Sequence, residues 1–373
     1  MPTRPARLNF GDTVGIVAPA SPPIDPKIIN RCADALEKLG FKPKLAANVR
    51  KRNGFLAGSD RERAGDLMKL FTDRKVKAIF CVRGGYGAAR ILPLLDYNTI
   101  RANPKIVVGY SDITSLHCAL LTQANLISFH GPTLSFHFAQ AATSSLSLSA
   151  RNERGESRRE GLPIKRASSP LPSSPKEERE SGLEFTVQSL LRTLMNPKPP
   201  GSILKSARCE GSGIRFTAQK PDTSHLIPGT PLRGGKATGQ LIGGNLSVLC
   251  TTLATPYQPS FKGKILFLED IGEPPYRFDR MLTHLLNAGL LQQVAGIAIG
   301  INKDCVDDKA KKSREFRQTL DDVLKERLLP LQIPVVTGLP FGHVHHNATL
   351  PVGARVTLDA ENGDLSVIQS AVL

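Results

Sequence analysis

The sequence predicts an α/β fold, a parallel sheet with helical crossovers followed by a second, smaller domain of β-rich α+β character. Three observations carry this. Apolar, β-branched runs alternate with helix-spaced segments through residues 13–131. The composition then changes sharply between 139 and 182, and beyond 206 the chain offers short β-like runs separated by turn signals. At 373 residues it can hold two cores of ordinary size.

Taken in order, residues 13–18 form an apolar strand that stops at Pro19 and the turn-rich Ser21-Pro22-Pro23. A helix follows with Ile28, Ile29, Cys32 and Leu36 on one face, and Gly40 ends it. A short strand at 42–46 precedes a helix at 59–71, capped by Ser59 or Asp60. Strand 76–82 runs straight into Arg83-Gly84-Gly85-Tyr86-Gly87, and a helix covers 88–95. Strand 106–108 breaks at Gly109; after Ser111-Asp112 helical spacing resumes with Ile113, Leu116, Leu120 and Leu121. A serine in such a turn is lifted out of the sheet beside the positive end of a helix. Parallel sheets bind ligands at the carboxyl ends of their strands, where the 83–87 loop and the Ser111 turn both fall.

The N-terminal domain therefore spans 1–138. Residues 139–182, rich in Ser, Pro, Arg and Glu, read as a disordered low-complexity insertion, because they cannot bury enough apolar surface to offset ordering entropy. Residues 183–205 supply a helix (185–195) and a linker, and 206–373 form the C-terminal domain, its folded part starting near Cys209. Its strands are expected at 234–241, 264–268, 296–301, 334–337 and 354–358, with helices at 247–253, 278–288 and 316–328.

The hydrophobic share is 40% and the charged share 22%, as in soluble globular proteins. The net charge of +16 raises the question of nucleic acid, but Lys and Arg are scattered, Trp is absent, and Tyr and Phe number 5 and 15. Stacking platforms are thus poorly supplied, and no nucleic-acid partner is expected. An anionic small substrate is compatible with the charge. Six cysteines without a CxxC pair, most in apolar segments, read as buried free thiols in a reducing compartment. With neither an apolar signal core nor a membrane-length apolar run, the expected location is the cytoplasm, with no membrane partner.

Polar residues stand directly beyond two later strands. Glu269-Asp270 follows 264–268, and His343 lies in the Gly338–His343 stretch after 334–337. With Ser111 they supply a nucleophile, a carboxylate and an imidazole, and the serine hydroxyl needs a base whose tautomer is fixed. Plainer roles compete. Ser111 suits a helix cap, Glu273 is a rival acid, His345 and His346 rival His343, and His130 reads as structural or site-lining. The His-Val-His-His run lacks companion carboxylates or cysteines, so no metal or other cofactor is expected. The 83–87 loop lacks GxGxxG spacing, and Ile113 stands where a GxSxG elbow needs glycine.

Motifs along nearly the whole chain resemble those of the LD-carboxypeptidase family of serine peptidases, which includes muramoyltetrapeptide carboxypeptidases and microcin C immunity peptidases. They are APASPP from Ala18, RGGYGAARILPLLD from Arg83, GYSDIT from Gly109, HGP at His130, GGNLSVL from Gly243, LEDIGEPPYRFDRML from Leu268 and GHVHHNATLPVGA from Gly342. The 139–182 stretch is the departure from the pattern. The resemblance implies a flavodoxin-like first domain and a Ser111–Glu269–His343 triad, with an oxyanion hole from the backbone N–H groups of Gly85 and Asp112. Asn245, within Gly243–Leu249, reads as a substrate-orienting residue, with a turn-forming role as the competing reading. The implied reaction releases terminal D-alanine from a murein tetrapeptide, a small peptide partner, and the family pattern allows a homodimer. The alternatives are an immunity-type peptidase acting on aminoacyl-nucleotides and a non-catalytic muropeptide-binding protein.

Overall fold

The structure is a computed structural model that describes residues 1–139, 149–150, 175–204, 214–215, 229–306 and 318–373. Most of the expected 139–182 insertion, Cys209 and the first residues of the expected 316–328 helix lie outside them.

Five parallel strands open the chain: β1 (Thr13–Val17), β2 (Lys42–Leu45), β3 (Val76–Cys81), β4 (Ile106–Gly109) and β5 (Ser128–His130). Their spatial order is 2-1-3-4-5, the flavodoxin-like order. β3 and β4 are nearly continuous apolar runs because helices cover both faces of a parallel sheet. The outer edge of β5 is covered by Leu350–Val352, which returns from the far end of the chain and pairs antiparallel, Leu350 opposite His130.

The second sheet has eight strands. Its four central strands, Lys236–Asn245, Ile265–Glu269, Gly296–Ile301 and Val335–Gly342, are mutually parallel, with antiparallel strands on either side. Helices Pro275–Asn287 and Leu320–Leu328 make two of the crossovers. The regularity was hard to read because Lys236–Asn245 carries Gly239, Gly243 and Gly244, which interrupt the apolar pattern. Side chains alternate across this sheet with the period of two that a strand imposes. Ile265, Phe267, Ala298 and Val336 join the core of the first sheet, whereas Leu266, Leu268, Ile297 and Val335 pack under Phe278, Leu282 and Val323. The two sheets therefore share one core.

The helix expected at 185–195 begins earlier, at Pro175, and runs to Met195. The five described cysteines are free, and burial pushes the thiols of Cys32, Cys81 and Cys118 up to about 12. Among the described residues no helix is long and apolar enough to cross a membrane.

Candidate active site

Because β3 and β4 are neighbours, the loops that leave their carboxyl ends touch. Ser111 sits in the left-handed region, φ 65°, at the start of a 3-10 turn (Ser111–Ile113) that leads into helix Thr114–Ala124. An L-residue costs roughly 1–2 kcal/mol in that conformation. The serine caps neither helix, and among the described residues its hydroxyl has no hydrogen-bond partner. A half-exposed serine held in strained backbone without a capping bond suits a nucleophile better than a cap.

The 83–87 loop lies against this turn with glycine at the contact. A β-carbon on Gly84 would stand 3.0 Å from both Ser111 Cβ and the Asp112 nitrogen, and 3.1 Å from the Tyr110 carbonyl oxygen. Gly85, at φ 99°, takes a conformation that side chains resist. Among the described residues neither the Gly85 nor the Asp112 backbone N–H is used by a loop, cap or side-chain bond. Asp112 follows Ser111 directly, and Gly85 follows the Gly84 that meets the Ser111 turn.

Three groups fix the loop. The Tyr86 N–H donates to Ser21 Oγ at 3.0 Å. The carboxylate of Asp112 accepts the Ala88 N–H at 2.8 Å. Arg63, 1% exposed, donates to the Gly87 carbonyl at 2.8 Å and to the Pro19 carbonyl and Asp60. Burial pushes the Asp112 carboxyl up to about 6, against the opposing pull of the Ala88 bond and the Arg63 charge.

Glu269 ends its strand wholly buried, and His343 follows directly on Val335–Gly342. His343 Nδ1 and Glu269 Oε2 are 2.7 Å apart. A carboxylate acceptor at that distance assigns the proton to Nδ1 and leaves Nε2 as the basic nitrogen. The rival acid, Glu273, pairs with Arg277 at 3.6 Å instead. The ring of Tyr110, the residue before the serine, packs 4.8 Å from the His343 ring, centroid to centroid. The imidazole thus stands beside the Ser111 turn, although the serine–imidazole hydrogen bond is not closed in this structure.

The His343 loop is braced from behind by helix Pro175–Met195. The Thr186 hydroxyl, fully buried, donates to the His345 carbonyl at 2.7 Å and accepts the Asn347 N–H at 2.8 Å. Ser189 Oγ accepts the Thr349 N–H at 3.0 Å. His345 stacks on Phe136, and His346 packs near Phe185. Among the described residues no group of three His, Cys, Asp or Glu side chains could hold a metal ion.

Asn245, expected to contact substrate, is 3% exposed. Its amide nitrogen donates to Asp270 at 2.8 Å, and its amide oxygen caps the helix Leu246–Cys250 through Val248 N–H. Those bonds tie it to the residue beside Glu269. His130 is wholly buried between Tyr110 and Phe267, and burial pushes its imidazole well down, leaving a neutral ring behind the site.

Three participants went unread in the sequence: Arg63, Thr186 and Tyr110. Arg63 had a signal, a charge at helical spacing with Leu67 and Leu70 on the buried face. Thr186 had none, because its partners lie about 160 residues on.

The chain is similar to known proteins along nearly its whole length. Residues 14–131 match the LD-carboxypeptidase N-terminal domain, and residues 238–358 match the LD-carboxypeptidase C-terminal domain. The probable murein peptide carboxypeptidase of Bacillus subtilis is 35% identical over 369 residues, which cover 99% of this chain and 95% of that protein. A muramoyltetrapeptide carboxypeptidase structure from Oxalobacter formigenes superposes with TM-score 0.68 at 27% identity, over 95% of this chain and 97% of that one. The microcin C7 self-immunity protein MccF, known from Escherichia coli, has the same fold, with TM-score 0.75 at 24% identity over the whole of both chains. With both domains matched in chain order and a relative this similar along nearly its full length, the chain belongs to the LD-carboxypeptidase family and is a serine carboxypeptidase, a hydrolase.

Proposed function

We propose that the protein releases terminal D-alanine from murein tetrapeptides by cleaving the L,D peptide bond, with Ser111 as nucleophile, His343 as base and Glu269 as the group that orients it. The observation that carries this reading is the 2.7 Å Glu269–His343 bond beside a serine in left-handed backbone. Ser111 Oγ attacks the scissile carbonyl carbon and its proton passes to His343 Nε2. The oxyanion accepts hydrogen bonds from the Gly85 and Asp112 N–H groups, each donor contributing about 3 kcal/mol. The D-alanine amine leaves with the proton from His343, and water activated by the same imidazole then hydrolyses the acyl-enzyme ester. Closing the serine–imidazole bond on substrate binding is ordinary, since such bonds are often long in ligand-free sites.

A second reading, cleavage of an aminoacyl-nucleotide, draws on the MccF likeness, one of whose structures holds glutamyl sulfamoyl guanosine. The absence of Trp weighs against a nucleobase-stacking pocket. The test is D-alanine release from a murein tetrapeptide, beside a D,D-pentapeptide control, by wild type and Ser111→Ala. Turnover of the tetrapeptide alone, reduced about 10⁴-fold or more in the variant while ligand binding persists, is the expected result. No release by wild type sinks this reading. Release that Ser111→Ala leaves intact removes the serine from it.

A further inference from the structure

Arg83 opens the loop that carries Gly85, and its guanidinium is half-buried. Its hydrogen bond is a long one, Nη1 to the Pro22 carbonyl at 3.4 Å. Among the described residues no carboxylate forms an ion pair with it. Other shielded arginines here do find one: the buried Arg63 pairs with Asp60, and the part-buried Arg327 with Asp279. The carboxylates around the site are engaged elsewhere, Glu269 with His343, Asp112 with the Ala88 N–H, and Asp270 with Asn245, Ser247 and Ile271. A part-buried guanidinium without a carboxylate partner is open to an anion that a ligand brings.

Its position says which ligand. Nη2 lies 3.6 Å from where a β-carbon on Gly85 would stand, and the Arg83 charge acts on the Tyr110 hydroxyl. Tyr110 in turn packs on His343. The guanidinium is therefore held near both the oxyanion loop and the residue preceding the nucleophile. A carboxypeptidase substrate differs from an endopeptidase substrate by one feature, a free α-carboxylate on the residue that leaves. That anion must rest within one residue's length of the carbon attacked, and a guanidinium can meet it with two parallel N–H bonds.

We propose that Arg83 receives the terminal α-carboxylate of the substrate and so makes the site an exopeptidase. The proposal rests on the peptidase reading above. It is tested by crossing the protein with the substrate: a tetrapeptide ending in D-alanine and the same peptide ending in D-alaninamide, each with wild type, Arg83→Gln and Arg83→Lys. Wild type should prefer the acid, and Arg83→Gln should lose about 100-fold in kcat/KM on the acid. On the amide the loss should stay within about 3-fold, so that the preference collapses. Arg83→Lys should retain part of the preference, since a lysine offers charge without the planar fork. With the unmodified protein, D-alanine should inhibit as a product and D-alaninamide should not, a measurement that needs no variant to fold.

An equal loss on both peptides would reduce Arg83 to a prop for the Pro22 loop and overturn the proposal. So would a wild type that cleaves acid and amide alike. Absence of turnover of the acid peptide by wild type is a different failure, that of the peptidase reading itself, and it removes this proposal with it.

Discussion

The two halves of the site are built in different ways. The Ser111 half is local: the serine, its strained turn and the glycine loop against it come from the ends of adjacent strands of one sheet. The Glu269–His343 half is assembled at long range. Glu269 and His343 are 74 residues apart on strands of the second sheet, and a helix from a third stretch of chain braces the histidine loop. A local device stores its geometry in backbone conformation. A long-range one stores it in side-chain hydrogen bonds that cross between elements, and these two kinds of storage should fail differently.

The largest effect is expected from the local half. In Gly84→Ala the new methyl meets backbone N and O of the Ser111 turn at about 3 Å, and neither atom can turn aside as a flexible side chain would. Kcat should fall about 100-fold, the typical result of a sub-ångström to one-ångström misplacement of reacting groups. Unchanged steady-state kinetics in Gly84→Ala would show that the two loops are not in register for catalysis. Thr186→Val makes the corresponding cut in the other half, removing one hydroxyl at nearly constant volume. About a 10-fold loss in kcat is expected with KM little changed, together with recovery in Thr186→Ser. If Thr186→Ser is as slow as Thr186→Val, the hydroxyl is not what places His343.

The smallest effect on activity should come from Asp112→Asn, which keeps an acceptor for the Ala88 N–H and leaves the Asp112 backbone donor in place. Its signature lies in stability. The carboxyl is raised in the folded state from 3.8 to about 6, so the protonated form favours folding. The stability it contributes is full below pH ~4 and is lost as pH rises through ~6. Asp112→Asn should escape that loss, gaining on wild type across this window by at most about 3 kcal/mol. Melting curves of both proteins at pH 4 and pH 7.5 measure the difference, and parallel shifts at the two values would contradict the buried-carboxyl reading.

The same contrast explains what could be read from the sequence. The strand–turn–helix around Ser111 and the loop after β3 are contiguous motifs, and parallel-sheet geometry places both at one edge. Glu269 was legible because it directly ends an apolar strand, where position is well defined. That position, together with the resemblance, favours it over Glu273, whereas His343 is favoured over His345 and His346 by the resemblance; the structure joins Glu269 to His343 while pairing Glu273 with Arg277. The role of Thr186 was invisible because a hydroxyl on a helix carries no local sign of a loop that arrives so much later. The parallel centre of the second sheet was obscured by the glycines of its longest strand, two of which, Gly243 and Gly244, take left-handed φ.

The strand Leu350–Val352, which closes the edge of the first sheet, sets a timetable for synthesis. β5 leaves the ribosome some 220 residues before its partner, a delay of roughly 10–40 s at ordinary translation rates. Throughout that interval the nascent first sheet has an unprotected hydrogen-bonding edge on β5, open to pairing with other chains. A polypeptide that stops short of residue 350 would leave the edge open for good, so premature termination should yield aggregation-prone fragments rather than a soluble first domain.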